Sequence, residues 1–207
     1  MNTRIIIATL LSISIFGISA KAQNEKKITP VLEIGAGLSV EANSGYGKQV
    51  KGMATELNLG LDIRLSNKWS VMPQIGHNTM IGDAWYVFLH YVGADYDVFS
   101  FYNAAVLGRY WLGEGVAIGL GPAFYMTEGE ETYYIDADPG DPRNSLVKIK
   151  PWDVGVRATI TKDYGKHWRF GALANVGLHD MLYQYPANGI TGHTHLFSIC
   201  LTAGFRF

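Results

Sequence analysis

A single cysteine, Cys200, stands in 207 residues, which excludes an internal disulfide framework. Charge is scarce as well. Asp, Glu, Lys and Arg make up 17% of the chain, where roughly 25% is usual for a soluble domain. Net charge is -1, so the chain lacks the basic excess that a nucleic-acid surface needs, and no nucleic-acid partner is expected. Past the N-terminus no apolar run approaches the ~20 residues of a spanning helix, because charged residues interrupt each candidate. What the chain has instead is 24 glycines and 13% aromatic residues. That composition suits a chain with a large lipid-contacting surface, provided it crosses the lipid as strands.

The N-terminus reads as an export signal. Arg4 supplies positive charge, Ile5 to Ile18 is almost continuously apolar, and Ala20-Lys21-Ala22 fits a small-x-small cleavage site. Residues 1–22 are therefore expected to be a cleavable signal peptide and residues 23–207 one domain. Gln23, not a cysteine, directly follows the site, so a lipoprotein anchor is not expected.

Beyond Gln23 the dominant signal is alternation with period two, the mark of strands whose faces meet different surroundings. In Met53–Leu65 one parity holds Met53, Leu57, Leu59, Leu61, Ile63 and Leu65, and the other holds Glu56, Asn58, Asp62 and Arg64. Ionisable groups on a buried parity make little sense in a dry core. They make sense in a hydrated, ion-paired barrel interior whose apolar parity faces lipid. Seven more segments follow the same rule: Pro30–Ala42, Trp69–Asn78, Asp97–Trp111, Val116–Met126, Leu146–Thr161, Trp168–Leu178 and Leu196–Phe207. Pro73 lacks an amide hydrogen and calls for a local bulge or an unpaired ladder position. The connections alternate: Ser66–Lys68, Leu112–Gly115 and Lys162–His167 are short, while Asn43–Lys51, Thr79–Tyr96, Thr127–Ser145 and Asp180–Gly192 are long. Short periplasmic turns and long external loops have this pattern. The expected fold is all-β, an eight-stranded antiparallel transmembrane β-barrel preceded by the cleavable signal peptide. Its expected place is the outer membrane of a Gram-negative bacterium. Trp69, Trp111 and Trp168 each adjoin a short turn, where an interfacial aromatic belt belongs.

Several segments carry a family likeness: VLEIGAGLSVEA in the first strand, LSNKWSVMPQIG after a short turn, the ending LTAGFRF, and the signal peptide. Together they resemble the PorT-like small outer-membrane β-barrels of Bacteroidetes and, more loosely, OmpX- and OmpA-type barrels. The resemblance covers most of residues 23–207 and concerns architecture; no functional residue carries over. It implies that a terminal aromatic on an amphipathic strand is read by the barrel assembly machinery, a role that Leu201, Phe205 and Phe207 match. It also implies service to adhesion, envelope integrity, or a secretion or gliding apparatus.

Eight strands enclose a lumen just wide enough for side chains to fill it. The inward set is expected to include Glu33, Glu56, Asp62, Arg64, Arg109, Asp153, Arg157 and Arg169, forming an interior ion-pair network. Inward glycines such as Gly119 and Gly171 would make room for the arginines. No catalytic, cofactor or metal site is expected. Asp136, Asp138 and Asp141 lack the glycine and the terminal glutamate of a calcium loop. His193 and His195 share a strand face but have no third ligand. A lipid A-modifying enzyme would need Ser, His and a carboxylate together on the outer wall, and Ser198 falls on the parity opposite to the histidines. The expected partners are outer-membrane lipid and lipopolysaccharide, the assembly machinery, and an extracellular or envelope protein met through the loops. The expected state is a monomer without enzymatic activity. Three alternatives stay open: a narrow ion channel, the lipid A-modifying enzyme, and a soluble lipocalin-like barrel with the faces reversed.

Overall fold

Alternating sequence becomes a closed wall of strands. The computed structural model describes residues 28–43, 49–82, 98–127, 132–134, 146–179, 182–183 and 194–207. The expected signal peptide, together with Asp136, Asp138, Asp141 and His193, lies outside the described residues. The barrel strands are β1 Ile28–Asn43, β2 Gln49–Arg64, β3 Trp69–Gly82, β4 Val98–Gly113, β5 Val116–Thr127, β6 Trp152–Tyr164, β7 Trp168–Gly177 and β8 Thr194–Arg206. Each pairs antiparallel with its neighbours in sequence, and β8 closes onto β1 from Val31↔Arg206 to Asn43↔Thr194. Closure leaves no strand edge, so the backbone needs no water to satisfy its polar groups.

Three short strands, Thr132–Tyr134, Leu146–Ile149 and Leu182–Tyr183, form a separate sheet. Leu146–Thr161, read above as one strand, is thus two, separated at Lys150-Pro151. Pro151 has no amide hydrogen to carry the ladder on, and its carbonyl instead accepts the Thr127 amide at 3.0 Å.

Pro73 produces an unpaired position and no bulge. The β2–β3 ladder lapses between Gly60↔Gln74 and Ile63↔Val71 and resumes in the same register. Pro122 does the same on β5, between Ala105↔Ala123 and Gly108↔Leu120.

The short turns, 65–68, 114–115 and 165–167, lie at the same end as the starts of β1 and the finish of β8. The tightest turns the chain at Glu114, whose φ of 50° lies between Gly113 at 116° and Gly115 at 77°. Such left-handed backbone favours glycine. The Phe207 amide donates to the Pro30 carbonyl at 3.1 Å, tying the chain end to β1.

The side-chain faces follow the parity rule. Leu57, Leu120 and Leu201 are 50%, 61% and 76% exposed, whereas Glu56, Asn58 and Asp62 are buried in the lumen. This orientation rules out the lipocalin alternative, which needs the apolar set inside. Inward glycines act mainly on backbone spacing: a Cβ on Gly37 or Gly121 would lie 1.9 Å from a carbonyl oxygen of the neighbouring strand. Gly119 adjoins Arg109, whose Cγ would be 3.2 Å from an added Cβ.

Candidate functional site

The outer wall carries an aromatic girdle at the short-turn end. Trp69 packs edge-on against Tyr110 at 4.9 Å between centroids, and Trp168 does so against Phe205 at 5.5 Å. Phe205 in turn meets Phe207 at 5.2 Å. Leu201 and Phe205 lie on the outward parity of β8 and Phe207 follows its last residue, with Leu201 and Phe207 exposed.

Trp111 does not join the girdle. It is buried in the lumen, where its Nε1 donates to Ser70 Oγ at 2.9 Å. Its place beside a turn suggested a belt residue, but it shares the inward parity of Arg109. Two guanidinium groups lie over its ring, Arg64 at 3.4 Å and Arg109 at 4.8 Å from the centroid. The electron-rich face stabilises these cations where water is scarce. Arg64 is half-buried and makes this stacking contact, without an ion pair to any described residue.

Above Trp111 the lumen holds a chain of alternating charge. Arg109 donates to Asp62 through Nη1, and its Nη2 donates to Thr161 Oγ1 at 2.6 Å. Arg169 donates to the same Asp62 oxygen at 2.9 Å and to Asp163 at 2.6 Å. Asp163 then pairs with Arg206 at 3.0 Å. Five strands, β2, β4, β6, β7 and β8, are tied across the barrel by this chain. Glu33 approaches Arg169 at 4.0 Å and accepts from Gln74 at 3.0 Å.

A second level is centred on Glu56. Asn58, Asn78 and Asn175 all donate to its carboxylate. Arg157 adds a longer contact at 3.4 Å and also reaches Asn175, Asn58 and Gln74. Tyr125 donates to Asn175 at 2.8 Å. Arg109, Arg157 and Arg169 each have 0% exposure. An apolar cluster of Val31, Met72 and Leu107 adjoins the first level, with Met72 Sδ 3.7 Å from Arg169 Nη1.

Asp153 faces the lumen at its other end, where the long loops begin, and departs from the expected pairing. It is buried, and its Oδ1 accepts the His179 amide at 2.9 Å. Its Oδ2 has no hydrogen-bond partner, and no described arginine or lysine pairs with it. The strand start at Trp152 leaves it one residue inside the rim, above the reach of Arg157.

Sequence reading missed Asp163, which strand parity would have placed inside had β6 been continued through Tyr164, and it left Arg206 out of the network although Arg206 shares the inward parity of Ser198 and Thr202 on β8. It also missed the amides Asn58, Gln74, Asn78 and Asn175, whose inward parity was legible but whose partners across the barrel were not. Ser198 is buried and bonded to Asn175 at 3.0 Å, while His195 is exposed on the opposite parity.

No family model matches the chain, and no curated protein matches it in sequence. Solved structures do. Ail, the attachment invasion locus protein of Yersinia pestis, in complex with the heparin analogue sucrose octasulfate, superposes with a TM-score of 0.50 at 14% identity, covering 87% of this chain and 99% of its own. Neisserial surface protein A gives 0.51 at 11% identity, covering 85% and 97%. The fold is that of the small eight-stranded outer-membrane β-barrels. Its girdled apolar wall and closed backbone are what a lipid-embedded barrel requires, and they place this small barrel in the outer membrane.

Proposed function

We propose that this outer-membrane barrel is a structural and surface-contact protein that works through its external loops and performs no covalent chemistry. One observation carries this reading: the lumen is occupied at two levels by paired, fully buried charges, which leaves the loop end as the part of the molecule free to meet a partner. The separation of Ser198 and His195 onto opposite faces supports the non-enzymatic reading. The sequence resemblance to PorT-like barrels favours adhesion, envelope integrity, or an accessory role in secretion or gliding. The likeness to Ail, seen bound to a sulfated sugar, favours an anionic glycan or lipopolysaccharide as a contact of the loops, with the barrel monomeric. Leu201, Phe205 and Phe207 are proposed as the strand end read by the assembly machinery.

Two measurements test this. In planar bilayers the purified protein is expected to show no current steps; reproducible single-channel steps would overturn the reading in favour of a narrow channel. Replacing residues 135–145 and 184–193 by short Gly-Ser turns is expected to leave the heat-modifiable barrel intact and to abolish binding to cells or lipopolysaccharide-coated surfaces. Unchanged binding would contradict a loop-borne role.

A further inference from the structure

The short-turn mouth of the lumen holds more guanidinium than carboxylate. Arg64 ends β2 there on the inward parity, half-buried, with its guanidinium 3.4 Å from the Trp111 ring centroid. Stacking engages the face of that group and leaves its edge, where the N–H donors point, without an acceptor among the described residues. Arg206 ends β8 at the same mouth, partly exposed. Its Nη1 pairs with Asp163 at 3.0 Å, and its buried Nε has no hydrogen-bond partner. The charged groups that act on Arg64 are Asp62, Asp163, Arg206 and Arg169. Both carboxylates are already engaged, Asp62 by Arg109 and Arg169, and Asp163 by Arg169 and Arg206. Glu33 lies farther from its arginine, 4.0 Å from Arg169. The turns around this mouth, 65–68, 114–115 and 165–167, are all described, and they add Lys68, Lys166 and His167 against Glu114. The carboxylate of Phe207 is also at this end. Residues 23–27, outside the described residues, hold Glu25 with Lys26 and Lys27.

We propose that this mouth binds a phosphate group, held by the N–H edge of Arg64 with Arg206 as the second donor. The chemistry of the donors selects this class. Uncompensated guanidinium repels metal ions and amines, and its planar fork matches the oxygens of an oxyanion. Trp111 holds Arg64 by its face, so the side chain loses little freedom when an anion arrives. A tetrahedral phosphate carries enough oxygens to meet two guanidinium groups at once. An outer-membrane barrel turns its short-turn end to the periplasm. Two sources of the same group are therefore at hand: a free phosphate in the periplasm, and the phosphodiester headgroup of an anionic lipid at the rim. The site stands independently of the loop-borne role proposed above.

The test uses the full chain extracted in detergent, with inorganic phosphate as the probe at constant ionic strength. In NMR spectra of the arginine Nε–H groups, the Arg64 and Arg206 signals are expected to shift saturably with sodium phosphate and not with sodium chloride. This readout on the wild-type protein needs no variant. Arg64→Gln is expected to weaken binding about tenfold or more, the loss of a charge-assisted hydrogen bond. Arg64→Lys keeps the charge without the fork and is expected to fall between the two. Heat-modifiable gel mobility checks that both variants fold. Nanodiscs of phosphatidylcholine with and without phosphatidylglycerol separate the sources. Shifts produced by phosphatidylglycerol, with added phosphate then excluded, assign the mouth to a lipid headgroup; phosphate binding that is the same in both discs assigns it to a free anion. Arginine signals that do not respond to phosphate or to phosphatidylglycerol, undiminished binding in Arg64→Gln, or binding that appears only after Glu25→Gln would each overturn the proposal.

Discussion

Arg169→Ala is expected to destabilise the barrel by about 3–5 kcal/mol, the usual effect of removing one partner from a buried charge cluster. Arg169 has 0% exposure and is the branch point of the interior chain, touching Asp62 at 2.9 Å, Asp163 at 2.6 Å and Glu33 at 4.0 Å. Its loss leaves three carboxylates in a lumen where Arg109 and Arg206 compensate only two of them, Asp62 and Asp163. The Arg169→Lys variant keeps the charge but cannot fork between Asp62 and Asp163, so it is expected to recover part of the loss. Urea titration of the refolded protein in lipid vesicles, followed by the gel-mobility shift of the closed barrel, measures both. An Arg169→Ala barrel as stable as the wild type would mean that the interior charges are held by water and not by each other.

Leu120→Arg carries the second large effect, and it runs against the rule for soluble proteins. Leu120 is 61% exposed near the middle of β5. On a soluble surface such a change would shift stability by roughly 0.5 kcal/mol or less. On a lipid-facing wall near the midplane it is expected to cost about 2–4 kcal/mol, falling toward zero at the interfaces. The same change at Leu65, 66% exposed beside the 65–68 turn, is therefore expected to be nearly neutral. The contrast between two equally exposed leucines, measured in vesicles by urea titration, separates lipid from water as the outer solvent. Equal, small effects at both sites would point to a wall wetted by water.

Most of the wall was legible because each residue of a strand takes its face from parity alone. Met53–Leu65 announced its lipid and lumen sides without any tertiary knowledge, and the structure places Leu57 and Glu56 on those sides. Trp111 was misread because proximity to a turn was allowed to outweigh parity, although Arg109 two residues earlier had already been placed inside. Alternation also ran unbroken through Lys150-Pro151, so one strand was read where the proline divides two. Interior partners were beyond reach for a different reason. Arg157 and Glu56 are 101 residues apart, and which inward groups meet depends on the stagger of strands around the tube. The pairing of Asp153 is of this kind: the sequence shows an inward carboxylate, and only the assembled rim shows that no described arginine pairs with it.

The central claim, lipid outside and a packed polar lumen within, is tested most directly by spin labels placed singly at Leu57, Leu59 and Leu61 in a Cys200→Ser background. In bilayers, all three labels should collide readily with dissolved oxygen and scarcely with a water-soluble nickel chelate. Labels that relax faster with the nickel chelate than with oxygen would show water on that face and contradict the account.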